Sequence, residues 1–407
     1  MSTLSQTVKL PVAVPDANAP VGAIVIGGDY QGLGIVRSLG RQGVRVCVVD
    51  DELSIARYSR YCTRFVKVAN LRSERMTVDC LLDLGKRLQL NGWILYPTRE
   101  ELVSAVSRYR SELNQVFRVP TPAWESVKWA WDKRNTYDLA RQLEIPIPTT
   151  RYYLGSVDEL DQLRDLTPPF AIKPAIKEHF FYKTKAKAWL ATSHAELRTM
   201  FQKASQLMPS DEIMVQELIP GGGRQQFSYC AFFRDGQAVG KMVVRRRRQH
   251  PIQFGRASTY VETLDVPVLE EFSERFLRAI DYYGLVELEY KLDPRDSQYK
   301  LLDVNARTWG YHSLGAQAGV DFSYMLYADQ AGLPVAACKA RPGVGWVRTT
   351  TDIPAAFVGM LNGDTSFKDY LRSLRSCDTE AVFSLNDPVP GLAEIALIPY
   401  LAVKRGF

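Results

Sequence analysis

The chain has 407 residues, 46% hydrophobic and 24% charged, enough to bury a sizeable core across the two or three lobes of an ordinary globular enzyme. Its 51 basic and 45 acidic residues leave a net charge of +6, which suits small anionic ligands but gives no argument for nucleic acid. No apolar run approaches a membrane span, no basic stretch precedes an apolar core at the N-terminus, and the six cysteines form no Cys-x-x-Cys pair; a membrane protein, a secreted disulfide framework and a zinc module are excluded, and a reducing cytoplasm is the expected location.

Residues 1–20, rich in Pro, Ala, Ser and Thr, read as a flexible leader. Ala23-Ile24-Val25-Ile26 then predicts a buried parallel-type strand running into a Gly-rich turn (Gly27, Gly28, Gly32, Gly34). Helical spacing follows through Ile35 and Leu39, and Val44–Asp50 is the next strand, completing a βαβ unit. Strand, Gly turn, helix, strand and Asp50 in that order imitate a dinucleotide fingerprint, so an NAD-dependent enzyme with Asp50 on the ribose is one reading. The glycine spacing departs from G-x-G-x-x-G, and a substrate-holding domain is the preferred one. A further strand, Trp93–Tyr96, ends at Thr98 and Glu100, which are either ligand contacts at a strand terminus or simply a helix cap with acidic first-turn residues.

Lys133 stands at a helix start in Trp131-Asp132-Lys133-Arg134, and alone it is unremarked. Lys173 sits in the otherwise apolar strand Phe170-Ala171-Ile172-Lys173, where an unpaired charge is costly, so a ligand or partner is expected there. Pro146 and Pro148 mark entry to a new lobe; Gln216-Glu217-Leu218-Ile219 follows the strand Glu212–Val215 and leads into Gly221-Gly222-Gly223. Arg245 to Arg248 continue the strand Met242-Val243-Val244, and alternation aims Arg245 and Arg247 one way and Arg246 and Arg248 the other. A nucleic-acid patch would need interleaved aromatic platforms, which are missing.

The late acidic cluster is the most informative stretch. Val286–Tyr290 and Leu301–Arg307 alternate apolar and polar residues around the turn Asp293-Pro294-Arg295-Asp296-Ser297, which predicts a hairpin. Glu287 and Glu289 then share one face, as do Asp303, Asn305 and Arg307. Hard oxygens beside a guanidinium suit Mg²⁺ with a polyphosphate; a solvated hairpin face is the bland alternative.

Lysine before a helix, lysine on a strand, an acidic linker and paired acidic strands, in this order over roughly residues 21–335, resemble the ATP-grasp superfamily, most of all the carboxylate–amine ligase branch that includes D-aspartate ligases. The resemblance implies an α/β fold with α+β lobes. It implies a Rossmann-like N-terminal domain (21–118), a linker and small lobe (119–220), a large lobe with the Mg²⁺ site (221–335) and a C-terminal extension (336–407). Lys133 and Lys173 would meet ATP phosphates, with Lys183 and Arg245 as further phosphate candidates, and Gln216, Glu217 and the Ile219 amide would hold adenine. Glu289, Asp303 and Asn305 would bind Mg²⁺ (or Mn²⁺), although the family commonly has glutamate where Asp303 stands. Arg307, Arg256 and Arg247 would act on the reacting groups, Arg307 and Arg256 by gripping a carboxylate or acyl phosphate. The loop that covers the phosphates is often glycine-rich in the family, whereas Ala175–Lys185 has no glycine and offers lysines and aromatics. The expected activity is amide formation from a small carboxylate and an amine, one of them an amino acid, through an acyl phosphate with release of ADP and phosphate. A kinase-like phosphotransferase and a nucleotide sensor remain as rivals. No nucleic-acid or membrane partner is expected, and a homodimer is compatible with the family's habit.

Overall fold

The computed structural model describes residues 21–405 apart from 164, 251–254, 256 and 364. The leader over 1–20 and the candidate Arg256 therefore lie outside the described residues.

Four parallel strands, β1 (Ala23–Ile26), β2 (Val46–Asp50), β3 (Arg64–Lys67) and β4 (Ile94–Pro97), form the first sheet in the order β3-β2-β1-β4. β1 and β4 read as unbroken apolar runs because helices cover both faces. Gly27 leaves β1 with φ at +95°, and a Cβ there would run into the Thr98 hydroxyl. This tight exit starts the helix Tyr30–Arg41 directly above the strand ends, with Asp29 capping the Gln31 amide at 3.0 Å.

A second antiparallel sheet holds β5 (Thr150–Arg151), β6 (Phe170–Pro174), β7 (Trp189–Ala191) and β8 (Ile213–Glu217) in the order β5-β8-β6-β7. Phe170, Ile172, Ile213 and Val215 alternate into a core of their own, which leaves Ala171, Lys173 and Gln216 on the opposite face. The stretch expected as a covering loop is instead the helix Lys177–Thr184. Without glycine or proline between Ile176 and Thr184, nothing in it opposes a helix, and Lys185 closes it in the left-handed conformation at φ 60°.

The third sheet is the largest: β9 (Gln226–Arg234), β10 (Gln237–His250), β11 (Ala257–Leu264), β12 (Gly284–Asp293), β13 (Gln298–Asn305), β14 (Cys338–Lys339), β15 (Gly345–Val347) and β16 (Thr379–Glu380). Its path is β13-β12-β9-β10-β11-β15-β16, with β14 beside β10. The segment after residue 336 thus adds strands to this sheet rather than hanging from it. One face changes character along its strands. Phe232 and Cys230 give way to Ser228 on β9, Met242 and Val244 to Arg246 on β10, and Leu285 to Glu287 and Glu289 on β12. The apolar end packs under the first sheet; the polar end is the floor of a cleft.

Candidate active site

Two adjoining cavities fill that cleft, of about 180 Å³ and about 340 Å³. They share Lys133, Lys173, Lys187, Arg246, Glu289 and Asp303, contributed by all parts of the chain that face the cleft. The smaller also reaches Tyr30 and Gln31 of the first helix, Glu287, Asn305, Arg307 and Tyr311. The larger is walled by Ala171, Leu190, Leu218 and Leu302, with the chain from Gln216 to Gly222 along its rim.

The expected hairpin forms β12 and β13, with Glu287 opposite Asn305 and Glu289 opposite Asp303. Asn305 Nδ2 donates to both glutamates at 3.1 Å, which turns its Oδ1 toward Arg307 at 3.3 Å. Lys133 Nζ meets Asp303 Oδ1 at 2.6 Å, bridging the start of the helix Lys133–Gln142 to β13. Burial disfavours both glutamate charges, but their surroundings separate them. Glu289 is held down to about 2 because Arg246, Lys187 and the Asn305 amide outweigh burial. Glu287, nearly enclosed and donated to by the Tyr311 hydroxyl, is pushed up to about 7 by burial and by its neighbour Glu289.

The lysines show the reverse pattern. Lys173 rests against Tyr137, its Nζ 2.7 Å from the phenol oxygen, and burial with the nearby Lys133 charge brings it down to about 7. Lys187, anchored to the Gly255 carbonyl at 3.0 Å, is brought down to about 8 by burial against the pull of Glu289. Around the smaller cavity six cationic side chains face three carboxylates. The cleft is therefore built for an incoming polyanion.

The metal candidates fit Mg²⁺ in the form it takes beside phosphates. Among the described residues, no three His, Cys, Asp or Glu side chains converge as a ready-made cage. Glu289 and Asp303 instead offer carboxylates from directly opposed positions, with Asn305 Oδ1 two residues along, and Mg²⁺ typically takes one or two carboxylates with phosphate oxygens completing its shell.

Not every expected residue arrives at the cleft. Arg245 and Arg247 both turn to Glu262 on the neighbouring strand, at 2.6 and 3.1 Å, while Arg246 enters the cavity and reaches Glu289 at 3.4 Å. A register shift between Arg246 and Arg248 breaks the alternation and sends Arg248 to the buried Asp352 at 2.8 Å. Lys183 donates to the Leu207 carbonyl and lines neither cavity; Lys177 and Lys187 stand where it was expected. Glu217 lines the larger cavity, but its carboxylate is committed to the Thr149 amide and Arg295, both at 2.8 Å. Gln216 lines that cavity but its amide is tied to Tyr137 and Thr150. Ile219 lines it too, its carbonyl accepting from Lys291 at 2.8 Å. Arg307 lies just beyond the end of β13 and pairs with Glu100 at 2.6 Å. Asp50 accepts from the Gly28 amide at 2.7 Å and pairs with Arg99, so the turn and not a ribose claims it.

Sequence reasoning missed Arg246, Lys177, Lys187 and Tyr311. Arg246 was within reach of alternation, which puts it on the face of Met242 and Val244; the two lysines and Tyr311 become site residues only once the lobes are assembled.

No family model matches the chain. It is 22% identical over 302 residues to a D-aspartate ligase of Enterococcus faecium, covering 70% of each protein. It is 24% identical over 358 residues to a carbamoyl phosphate synthase large chain of Thermomicrobium roseum, covering 83% of this chain but only 30% of that longer protein. The biotin carboxylase domain of Hydrogenobacter thermophilus 2-oxoglutarate carboxylase, solved with MgADP and bicarbonate, matches the fold with a TM-score of 0.64 at 12% identity, over 81% of this chain and 74% of that one. An L-amino acid ligase from Bacillus licheniformis matches with a TM-score of 0.59 at 14% identity, over 81% and 79%.

Proposed function

We propose that this chain, whose fold matches a biotin carboxylase domain and an L-amino acid ligase, is an ATP-grasp enzyme, an ATP-dependent carboxylate–amine ligase with an amino acid as one substrate. The carrying observation is the cleft itself: an apolar cavity bordered by extended backbone adjoins a strongly cationic one, and the two meet at Lys133, Lys173 and Asp303. The D-aspartate ligase and L-amino acid ligase likenesses support the choice of reaction.

Adenine would lie in the larger cavity, whose lining includes Ala171, Leu190, Leu302 and the chain from Gln216 to Ile219. The phosphates extend toward Lys133, Lys173, Lys187 and Arg246, in place of Lys183, Arg245 and Arg247. Glu289, Asp303 and Asn305 would hold Mg²⁺, which would neutralise charge that builds on the transferring phosphoryl group. In the smaller cavity Arg307, steadied by Glu100, orients the substrate carboxylate in the bidentate manner its fork allows.

A carboxylate oxygen attacks the γ phosphorus, the bond to the ADP oxygen breaks, and an acyl phosphate forms. The amine nitrogen then attacks the carbonyl carbon, expels phosphate and loses a proton, leaving an amide. Activation comes from phosphorylation and positioning, with no enzyme nucleophile. Cys230, the thiol under the cleft floor, is unsuited to that role, since burial and Glu287 push its ionisation far up.

The test is product analysis from Mg-ATP across a matrix of amino acids and small carboxylates. The proposal expects ADP and phosphate release that needs one carboxylate–amine pair, with a new mass equal to their sum minus water. ADP with a stable phosphorylated product would make the protein a kinase instead.

A further inference from the structure

The C-terminal part of the chain presents apolar side chains to solvent where a finished surface would be polar. On the helix Thr349–Leu361, Ile353, Phe357, Val358 and Leu361 are 54, 60, 43 and 72% exposed, and they fall on one face. The helix has no lysine or arginine, and its one charge, Asp352, is buried against Arg248. A helix apolar on all sides is normally covered on all sides.

The helix Val389–Arg405 repeats the pattern with Val389, Leu392, Ile395 and Ile398, spaced three apart and each about half exposed or more. Glu394 joins the two helices: buried on the inner side, it accepts from Arg348 at 2.6 Å and from Thr350 at 2.7 Å. Beside the second helix lies a shallow notch of about 290 Å³ lined by Phe383, Leu385, Pro388 and Leu392.

We infer that this face is the contact surface for a second copy of the same chain. At about 150–250 Å² for a fully exposed large side chain, the exposed fractions of these residues, with Leu385 wholly exposed, come to on the order of 1,000 Å². That exceeds the roughly 300–600 Å² of the largest patch on a typical monomer and meets the roughly 800 Å² per partner of a stable dimer. A two-fold contact needs a surface complementary to itself, and this one carries both protruding side chains, Phe357 and Leu361, and a notch to receive them. An anionic membrane is the other taker of apolar helices, but it selects a polar face rich in Lys and Arg; the helix Thr349–Leu361 has neither residue, and the helix Val389–Arg405 has them only at its last two positions.

Sedimentation velocity of the full chain over a wide concentration range tests the inference. The wild type should run at twice the chain mass. Phe357→Glu combined with Leu361→Glu should bring it to the single-chain mass with an unchanged circular dichroism spectrum, and Leu392→Glu at the notch should do the same. Met76→Glu, at an exposed methionine of the N-terminal domain, should stay at twice the mass. A wild type of single-chain mass throughout, whether or not it floats with anionic vesicles, overturns the inference. So does a dimer that survives both the helix and the notch substitutions.

Discussion

Two regions of one sheet, with β9 between them, both send charged side chains into the cleft, and they were not equally readable. The β12–β13 hairpin keeps strict alternation from Glu287 to Glu289 and places Asn305 and Asp303 opposite them. The arginine run of β10 starts with the same period and loses it at the register shift after Arg246. In the hairpin, Glu287, Glu289 and Asp303 share the cleft face, and the cations that meet them, Lys133 on Asp303 and Arg246 on Glu289, line the same cleft. In β10, three of the four arginines are already answered, by Glu262 or Asp352, and only Arg246 faces the cleft. A charge is available for chemistry when the partner that answers it also faces the cleft.

Substitutions can break this contrast, and the largest effect should be on folding. Arg248→Met strips the partner from Asp352, whose carboxylate is wholly buried, and should cost about 3–5 kcal/mol of stability. Chemical denaturation would show it, and a loss below about 1 kcal/mol would place Arg248 among exposed pairs instead. Next, Asp303→Asn or Glu289→Gln should lower turnover by about 10²–10³ while the melting curve stays in place, because the lost interaction belongs to the transition state. Unchanged turnover in both would remove the metal assignment.

Arg246→Met should weaken Mg-nucleotide binding by about 10–100-fold, the value of a charge-assisted hydrogen bond. Arg245→Ala and Arg247→Ala, held by the partly exposed Glu262, should change it by no more than about twofold. Titration calorimetry on the three variants ranks them, and equal effects would erase the distinction. The smallest effect is a proton count. Burial and Lys133 bring Lys173 down to about 7, so in the empty cleft it is mostly neutral above that pH. A polyphosphate favours the ammonium, so binding should take up protons, increasingly as pH rises from 6 through 8. Calorimetry in buffers of different ionisation enthalpy should show this uptake, and Lys173→Met should reduce it.

How much of this was legible depended on whether a residue's surroundings are local. Lys173 announced itself because Phe170 and Ile172 of its strand are core residues, and a lysine directly after Ile172 must face the other way. The hairpin was legible because period two and turn chemistry act over a few residues. The helix Lys177–Thr184 was hidden by the expectation of a covering loop, although its composition, noted as free of glycine, permits a helix. Lys187 was out of reach for a different reason: its site role depends on Gly255, sixty-eight positions away, and on the closure of one lobe over another. Arg348 is the same case, a buried cation from the C-terminal part stacked 4.1 Å over the ring of Tyr30 at the cleft wall. No periodicity encodes such contacts.

The central claim is that a substrate carboxylate is activated by phosphoryl transfer from ATP. Once a productive carboxylate–amine pair is found, the carboxylate should be labelled with ¹⁸O and the released phosphate weighed. The account predicts one labelled oxygen in each phosphate, delivered by the carboxylate that was phosphorylated. Unlabelled phosphate beside a labelled amide, or AMP with the label on its phosphate, would contradict it.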